Sequence, residues 1–376
     1  MTRYVCKILL LAKEHFEEQP SLLHINLPYI EDVGAPVFNC VLEEKAKMNE
    51  NLNKYVNGNR MRNDQNNSEM QEDEKGELND NEIKEDSIIN YETWTTNIKS
   101  QFTICGDTHG QFFDLLHIFE IGGFPSSNNP YLFNGDFVDR GSFSFETVFV
   151  LLALKLACPD GLYLLRGNHE TRNMNRIYGF EGEIKFKYDM TVMRHFTEVF
   201  NWLPLAAVIS NNDKIHTLSV FVVHGGLSTN VTPDEGERVG ALSLADINAV
   251  KRGREPPEHG LMSDLLWSDP HDLLGKVPSK RGVGFSFGSD YTQEFLQKNN
   301  LQLLIRSHEV KEEGYIVEHS GKCITVFSAP NYCDQMGNKG AYIRFYEDMK
   351  PHFTQFECSP HPNIPPMRYA GNMFGL

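Results

Sequence analysis

The chain has 376 residues, a hydrophobic content of 40% and a formal net charge of −16. This length is enough for one large domain with an attachment or for two medium ones. The acidic balance argues against a nucleic-acid surface built on a general excess of Lys and Arg, although a local basic pocket stays possible.

Cysteine spacing and the early apolar runs bear on where in the cell the protein is located. The seven cysteines are scattered and never spaced as C-x-x-C, which indicates reduced thiols and neither a disulfide framework nor a zinc knuckle. The longest early apolar run, KILLLA, is too short for a membrane span and lacks the flank of a signal peptide. We therefore expect a cytoplasmic or nuclear protein, or one present in both, without a membrane or nucleic-acid partner.

The N-terminal region predicts one helix and then a change of composition. Ile8, Leu9, Leu11, Ala12 and Phe16 recur at helical spacing, so we expect an amphipathic helix ending near Pro20, within a lead-in over residues 1–42 that packs on the main domain. Residues 43–96 are rich in Asn, Asp and Glu and sustain no period, which predicts a disordered insertion. An acidic docking tail is the alternative interpretation.

The main domain, residues 97–376, alternates short apolar runs with helical segments. Five runs lead directly into polar turns: FTICGDTHG, YLFNGDFVDRG, YLLRGNHE, FVVHGG and LLIRSH. The helical segments between them are FFDLLHIFEI, FETVFVLLALKLA and IKFKYDMTVMRHFTEVFNWL. This alternation predicts an α/β domain with a parallel or mixed sheet covered by helices. Because such sheets bind ligands at the carboxyl ends of their strands, we expect a site along one edge.

Side chains that can bind metal collect at these turns. They are Asp107, His109, Asp136, Asn168, His224 and His308. Such mixed carboxylate, carboxamide and imidazole sets suit Mn, Fe or Zn. Six ligands are too many for one ion with open positions, whereas two ions that share one aspartate leave room for water. The set predicts two divalent ions per chain and direct attack on phosphorus by a metal-bridging hydroxide, with no Ser or Cys nucleophile.

The remaining turn residues suit the other needs of phosphate chemistry. Arg140 and Arg281 are candidates to bind phosphate oxygens, because guanidinium groups pair with them bidentately. His169 is a candidate general acid for a leaving alkoxide, and Asp139 would hold its ring. Any single His is more often a hydrogen-bonded core residue than a ligand, so the repetition at five strand ends carries the prediction.

Two further charged residues have structural interpretations. Arg306 is interpreted as a structural ion pair. Glu170 is interpreted as a residue that orients the backbone or a neighbour, and it is not assigned to catalysis.

The ordered motifs GDTHG, GDFVDRG, GNHE, HGG and RSH, followed by SAPNYC, resemble the signature set of the PPP family of metal-dependent serine/threonine protein phosphatases. Stretches such as GNHETRNMNRIYGFEGEIKFKY, LLWSDP and SKRGVGFSFG are most similar to the type-5 catalytic domain. The resemblance runs from about Ser100 to the C-terminus. It implies a metallophosphoesterase fold, in which helices flank a central β-sandwich with a dinuclear metal site at its edge, and hydrolysis of phosphoserine and phosphothreonine on proteins.

The resemblance also implies roles for individual residues. The first metal would take Asp107, His109 and Asp136, and the second would take Asp136, Asn168, His224 and His308. The phosphoryl group would contact Arg140, Asn168, Arg281 and Tyr332, and His169 paired with Asp139 would be the general acid. Tyr332 is added by the resemblance alone. The loop at residues 334–338 is expected to overhang the site and to shape contacts with substrates and inhibitors.

Two departures from the type-5 pattern bear on partners. Type-5 enzymes carry a tetratricopeptide array that blocks the active site and binds a chaperone tail, and this sequence shows no repeat of that period. We therefore expect a monomeric catalytic domain that acts on phosphoproteins, without autoinhibition or chaperone binding through such an array. The second departure is the acidic insertion, which is either an inert lineage-specific expansion or a mobile arm that competes with substrates.

Two other functions stay open at this point. A nucleotide phosphodiester or a small phosphomonoester would use the same metal residues, because the wider superfamily shares GD-x-H and GNH; Arg281 and SAPNY favour a protein phosphatase. A binding scaffold would keep the fold without catalysis. Such scaffolds usually lack a ligand or the acid, and neither is missing from this sequence.

Overall fold

The computed structural model describes residues 2–28, 100–211, 217–228, 231–232, 236–237 and 242–364. These residues belong to one compact unit formed by Met1–Tyr29 and Lys99–Leu376, and a second unit, Ile30–Ile98, lies outside them. The expected insertion at residues 43–96 is therefore not described. The boundaries at residues 42 and 96 stay predictions.

Sixteen strands are formed by the described residues. In chain order they are β1 (Leu22–Asn26), β2 (Gln101–Cys105), β3 (Tyr131–Phe133), β4 (Leu162–Leu164), β5 (Ala206–Ser210), β6 (Ser219–Val223), β7 (Val231–Thr232), β8 (Gly236–Glu237), β9 (Asp269–Pro270), β10 (Lys276–Pro278), β11 (Phe285–Phe287), β12 (Leu303–Arg306), β13 (Tyr315–Glu318), β14 (Cys323–Val326), β15 (Gly340–Tyr346) and β16 (His352–Phe356).

Two mixed sheets form the centre of the fold. One has the order β1-β5-β6-β12-β14-β13, and the other has the order β16-β15-β2-β3-β4. Strands β2, β3 and β4 run parallel to one another, and so do β6, β12 and β14. Smaller sheets are formed by β10-β11-β9 and by β7-β8. Each large sheet thus brings three parallel strands to one end, where their carboxyl termini meet.

The two large sheets pack face to face. Alternate residues of β5 show this, because Ala207 and Ile209 join a core shared with β2 and β15, whereas Ala206 and Val208 join a core with the helices. Since both faces of these strands are buried, the sequence shows continuous apolar runs and no polar alternation. The resulting β-sandwich flanked by helices is the architecture that the family resemblance implied.

Nine helices cover the outer faces of the sandwich within the described part of the chain. They are α1 (Thr2–Glu18), α2 (Phe112–Gly122), α3 (Ser144–Ala157), α4 (Arg172–Tyr178), α5 (Phe180–Lys187), α6 (Met190–Trp202), α7 (Leu244–Asn248), α8 (Leu261–Trp267) and α9 (Ser289–Lys298). The first six pack on the five-stranded sheet or on one another, and the last three pack on the six-stranded sheet. None of the helices in these ranges is long and apolar enough to cross a lipid bilayer.

The N-terminal helix forms as the apolar spacing predicted, over Thr2–Glu18. It packs on α6 and α3 and buries Val5, Leu9, Ala12 and Phe16. The chain then adds β1 to the edge of the six-stranded sheet, parallel to β5. This strand was not predicted, and it ties the N-terminal region to both layers of the fold.

The long helical segment at residues 184–203 is broken in two, which corrects the prediction of one helix. Helix α5 ends at Lys187 and α6 begins at Met190. Asp189 lies between them, and its side chain accepts hydrogen bonds from the backbone N–H groups of Thr191 and Val192 at 2.7 and 3.2 Å. An aspartate that caps a new helix in this way competes with continuation of the old one.

Candidate active site

The predicted site residues lie on loops that follow parallel strands, except Arg281, which lies between the antiparallel strands β10 and β11. Loops after β2, β3 and β4 come from one sheet, and loops after β6, β12 and β14 come from the other. An edge of a single sheet was expected from the residues alone. The site instead lies where the carboxyl ends of both sheets meet, because the sandwich places these ends beside one another.

Two buried carboxylates share the same imidazole neighbours at this edge. Nε2 of His109 lies 3.6 Å from Oδ2 of both Asp107 and Asp136. Nε2 of His224 lies 3.4 Å from Oδ2 of Asp136, and its Nδ1 lies 4.0 Å from Oδ1 of Asp107. Each aspartate is 1% exposed. Burying two ionised carboxylates costs free energy unless cations or protonated rings lie beside them.

Asn168 and His308 close the other side of this cluster. One end of the Asn168 carboxamide lies 2.9 Å from Nε2 of His224 and from Nδ1 of His308, and 3.1 to 3.2 Å from the carboxylate oxygens of Asp136. The backbone N–H of His308 donates to Oδ1 of Asp107 at 3.1 Å. All six side chains that the sequence assigned to metal binding are thus brought together.

Backbone carbonyls fix the orientation of two of the rings. Nδ1 of His224 lies 2.7 Å from the carbonyl oxygen of Asn134, and Nδ1 of His109 lies 3.0 Å from that of Val138. A carbonyl oxygen accepts only from an N–H, so these contacts favour the tautomer with the proton on Nδ1. Nε2 is then the nitrogen that lies toward the carboxylates, and it is the atom through which these rings would bind a metal ion.

Charges within the cluster shift the proton affinities of its members. Burial lowers the pKa of His224, but the charge of Asp136 and the hydrogen bond with it outweigh this effect and raise the pKa to about 9. Burial raises the pKa of Asp136, yet the charges of His224 and His169 hold it well below its usual value. Burial, followed by the charge of Arg281, keeps the pKa of His308 well below its usual range. Its ring is therefore neutral and offers a lone pair.

The donor set fits divalent metal ions. Two groups of ligand atoms each fall within 4.8 Å of one another: His109, Asp136 and His169, and Asp136, His224 and His308. Asp136 belongs to both groups, which is the position that a bridging ligand must occupy. Convergent oxygen and nitrogen lone pairs beside buried carboxylates suit Mn, Fe or Zn. His169 joins the first group although the sequence assigned it to proton transfer.

The ring of His169 is held by a buried carboxylate. Its Nδ1 lies 2.8 Å from Oδ2 of Asp139, whose side chain is fully buried. Asp139 also accepts from the backbone N–H of Phe180 and from Nδ2 of Asn175, each at 3.0 Å. Asn175 Nδ2 donates in addition to the carbonyl oxygen of His169 at 2.7 Å. Nε2 is therefore the ring atom of His169 that lies away from Asp139, as proton donation to a substrate requires.

Arg140 and Arg281 lie on loops from different sheets. The guanidinium carbon of Arg140 lies 3.9 Å from the ring centroid of Tyr178. Arg281 donates from Nε to Asp269 at 2.6 Å and from its second guanidinium nitrogen to the carbonyl oxygen of His308 at 3.3 Å. Arg281 is thus held beside His308 by hydrogen bonds, and Arg140 is held by stacking on Tyr178.

Arg306 has the structural role that the sequence indicated. It is fully buried, and its guanidinium donates to Asp269 at 2.7 Å and to Glu309 at 2.5 Å. Asp269 therefore receives hydrogen bonds from Arg306 on one side and from Arg281 on the other. Arg306 thus holds Asp269 in place, and Asp269 in turn holds the more exposed Arg281.

Tyr332 lies against the first group of ligands. Its ring centroid lies 5.0 Å from that of His109 and 5.2 Å from that of Phe327. The following residues reach the rim of the site, where Asp334 and Arg140 both line a groove of about 350 Å³, and Met336 is 57% exposed. The loop after SAPNYC thus lies beside the site, and its contacts with substrates and inhibitors stay a prediction.

Five of the predicted site residues have a left-handed backbone. They are His109 (φ 39°), Asp136 (φ 53°), Asp139 (φ 70°), Arg140 (φ 71°) and His308 (φ 73°). This conformation costs on the order of 1–2 kcal/mol for a residue with a Cβ, so it persists only where the surroundings enforce it. Such a concentration of strained residues is typical of functional sites.

Glu170 holds two of these loops together. Its carboxylate accepts hydrogen bonds from the backbone N–H groups of Asp136, Phe137 and Gly167 at 2.7 to 2.8 Å. Burial and the charge of Asp136 raise the pKa of Glu170, whereas the N–H donors act in the opposite direction. The interpretation of Glu170 as a residue that orients the backbone is confirmed.

Three residues that contact the site were not predicted from the sequence. Asn175 and Tyr178 lie in NMNRIYGF, which begins three residues after GNHE, and Asp269 lies in WSDP. Their motifs were noted, but Asn175 and Tyr178 lie inside a short helix, and Asp269 lies in the two-residue strand β9, which the apolar runs did not predict. The available signal was their closeness in sequence to GNHE and to the strand that precedes Arg281.

Comparison with known proteins gives the family. The profile of the calcineurin-like phosphoesterase family matches residues 100–312. The chain is 60% identical over 275 residues to serine/threonine-protein phosphatase 5 of Arabidopsis thaliana, covering 73% of this chain and 48% of the relative. It is 55% identical over 277 residues to the protein of that name from Homo sapiens, covering 73% and 52%. The chain thus spans about half the length of the curated relatives it matches.

A solved structure supports the same grouping over nearly the whole chain. It is a protein serine/threonine phosphatase from Saccharomyces cerevisiae, described as similar to human phosphatase PP5, with a TM-score of 0.72 and 33% sequence identity. The match covers 98% of this chain and 94% of that one. The chain belongs to the calcineurin-like phosphoesterase family and, within it, to the PPP-family group of type-5 serine/threonine phosphatases.

Proposed function

We propose that the chain is a metal-dependent protein phosphatase that hydrolyses phosphoserine and phosphothreonine on proteins. The observation that carries the proposal is the Asp139–His169 pair, joined at 2.8 Å, beside a cluster of six metal-competent side chains and two arginines. The curated relatives are named for this activity. A scaffold without catalysis would have no need for a general acid held in this way.

The metal centre of the proposal consists of two divalent ions, Mn, Fe or Zn. Asp107, His109 and Asp136 would hold the first, and Asp136, Asn168, His224 and His308 would hold the second. When bound, the ions supply Lewis-acid activation of water and of the phosphoryl group. The convergence of lone pairs around Asp136 supports this assignment.

Phosphate binding falls to side chains at the rim of the cluster. Arg140 and Arg281 would pair with phosphoryl oxygens and so stabilise the negative charge of the phosphoryl group. Asn168 and Tyr332 would add hydrogen bonds to the same group. The bond from Arg281 to Asp269 keeps its guanidinium beside His308, in reach of a phosphate at the cluster.

Proton transfer falls to His169. With Nδ1 bonded to Asp139, the imidazolium proton on Nε2 would go to the serine or threonine oxygen as its bond to phosphorus breaks. Asp139 stabilises the charged ring before the transfer and holds it in place. An alkoxide is a poor leaving group, so this step makes phosphoserine and phosphothreonine suitable substrates.

Phosphoproteins are thus the proposed substrates, and the cytoplasm or the nucleus is the proposed location. The scattered cysteine spacing supports a reducing compartment. Fractionation of cells that express a tagged chain tests the location, and recovery in a secretory or membrane fraction would contradict it.

The activity is tested with metal-stripped chain given a phosphoserine peptide, with and without manganese. We expect phosphate release that depends on manganese, is lost in Asp136→Asn and is kept in Asp272→Asn, an exposed aspartate. Bis-p-nitrophenyl phosphate, a diester, is measured in parallel. No phosphate release by folded, metal-loaded chain would contradict the proposal, and equal turnover of the diester would favour a phosphodiesterase.

A further inference from the structure

The ring of Tyr178 lies between two side chains that the proposed function requires, and it has no role in the assignments above. It contacts the guanidinium group of Arg140 and the imidazole ring of His169. We propose that Tyr178 is a positioning residue that sets the phosphate-binding cation and the proton donor in a fixed relation. This inference rests on the proposed phosphatase function and adds a residue to it.

On one side, Tyr178 restrains Arg140. The guanidinium carbon lies 3.9 Å from the ring centroid, within the range of a cation–π contact. The backbone of Arg140 is bound to the same residue, since its N–H donates to the carbonyl oxygen of Tyr178 at 3.0 Å. A free arginine side chain has many rotamers and loses conformational entropy when it binds phosphate. Stacking on a fixed ring restricts the side chain before phosphate binds, so less entropy is lost on binding.

On the other side, Tyr178 restrains His169. The two ring centroids lie 5.2 Å apart at an angle of 48°, and His109 contacts the same imidazole edge-on at 4.8 Å. The hydrogen bond to Asp139 fixes Nδ1 but leaves the ring able to pivot about that contact. Aromatic neighbours limit this pivot, and therefore fix the direction in which Nε2 offers its proton.

Helix α4 explains how Tyr178 reaches this position. The helix begins directly after GNHE, and Asn175, which lies one turn before Tyr178, bonds to both Asp139 and the carbonyl oxygen of His169. Residues three apart lie on the same face of a helix. Gly179 ends the helix with φ 120°, a conformation that favours glycine, so Tyr178 lies between the hydrogen-bonded Asn175 and a fixed helix end.

This geometry predicts an effect that depends on the leaving group. A serine alkoxide needs the proton of His169, whereas p-nitrophenolate is stable enough to leave with little help. Loosening His169 should therefore slow hydrolysis of phosphoserine more than hydrolysis of p-nitrophenyl phosphate. Loosening Arg140 should weaken inhibition by inorganic phosphate.

The experiment compares the parent chain with Tyr178→Leu, Tyr178→Phe and Tyr4→Leu, all loaded with manganese. Tyr4 is 73% exposed on helix α1, so it is a matched substitution away from the site. For each protein, kcat and KM are measured on a phosphoserine peptide and on p-nitrophenyl phosphate, together with the inhibition constant of inorganic phosphate. The ratio of the two kcat values does not depend on the folded fraction, so a poorly folding variant still gives an answer.

In Tyr178→Leu we expect kcat for phosphoserine to fall about tenfold further than kcat for p-nitrophenyl phosphate, part of the ~10²-fold or larger effect of a general acid. The inhibition constant of phosphate should rise about threefold, as loss of a cation–π contact implies. In Tyr178→Phe the kcat ratio and the inhibition constant of phosphate should stay close to those of the parent, because the aromatic ring is kept. An active parent with an unchanged ratio and inhibition constant in Tyr178→Leu would overturn the inference alone. A folded, metal-loaded parent that hydrolyses neither substrate would overturn the proposed function and the inference with it.

Discussion

The carboxylate of Glu170 organises the backbone of the site without being assigned to its chemistry. It receives three backbone N–H groups, two of them from the loop that carries Asp136 and one from the loop that carries Asn168. Asp136 itself has φ 53°, so these bonds hold a conformation that the chain would otherwise avoid. The buried carboxylate of Glu170 thus stabilises the strained backbone at Asp136.

Replacing Glu170 by alanine should destabilise the protein strongly. Each buried N–H left without a partner costs about 1–3 kcal/mol, so we expect the free energy of unfolding to fall by at least about 3 kcal/mol. Urea unfolding at fixed manganese concentration measures it. The control is Glu181→Ala, which removes the more exposed ion pair with Lys185 and should cost less than about 1 kcal/mol. Similar losses in the two variants would contradict the role of Glu170.

His169→Asn tests proton donation directly. We expect kcat on a phosphoserine peptide to fall by about 10²-fold or more, with a smaller loss on p-nitrophenyl phosphate, because that leaving group needs little protonation. His24→Asn, at an exposed position of strand β1, is the matched control and should behave as the parent. Turnover of the peptide at the parent rate by folded, metal-loaded His169→Asn would exclude this residue as the acid.

At the scale of secondary structure, some elements were predicted correctly from the sequence and others were not. The strands that precede the site were predicted, because buried parallel strands leave unbroken apolar runs that end in polar turns. Strand β1 was not, since its pairing with β5 joins positions far apart in the chain. The break between α5 and α6 was also missed. Whether Asp189 caps a new helix or lies inside a continuous one depends on packing as well as on local composition.

Helix α3 provides a prediction on pH because it buries a lysine. Nζ of Lys155 donates to the carbonyl oxygen of Pro159 at 2.6 Å and lies 4.5 Å from the ring centroid of Tyr163. The side chain has little access to water, and burial lowers the pKa of Lys155 to about 8. Between that value and its ordinary pKa the unfolded chain binds more protons than the folded one, so stability rises with pH in this window.

Lys155→Met should therefore be more stable than the parent at pH 7, where the buried charge is fully present. The difference between the two pKa values of Lys155 corresponds to about 3 kcal/mol, and loss of the hydrogen bond reduces the net gain to about 1–3 kcal/mol. The advantage should shrink as pH rises above about 8, because the parent then releases the proton. Urea unfolding of both proteins at neutral and alkaline pH measures this, with the more exposed Lys185→Met as control. An advantage that does not change with pH would contradict it.

At the scale of the whole molecule, the site depends on the way two sheets pack. The sequence placed all six metal-competent side chains at strand ends, but strand order and the pairing of sheets decide which ends meet. Asp107 and Asp136 come from one sheet, whereas His224 and His308 come from the other. Metal bound by side chains from both layers would couple metal binding to the stability of the sandwich.

This coupling leads to a prediction that needs no measurement of activity. Manganese added to metal-stripped chain should raise Tm by about 5–10 °C at a hundredfold excess over its Kd, because binding only to the folded state stabilises it. Asp136→Asn should lose most of this rise. Its Tm without metal should be lower than that of the parent, since the charges of His224 and His169 hold the pKa of Asp136 well below its usual value and the ionised carboxylate therefore stabilises the fold.

The size of the rise in Tm on adding manganese separates metal binding from ordinary damage to the core. A substitution that merely weakens packing would lower Tm with and without manganese but would leave the rise unchanged. Differential scanning fluorimetry over a manganese titration distinguishes the two cases, with Asp272→Asn as the exposed control. A parent Tm that does not respond to manganese, or an Asp136→Asn protein that keeps the full rise, would mean that the shared carboxylate does not hold the ions.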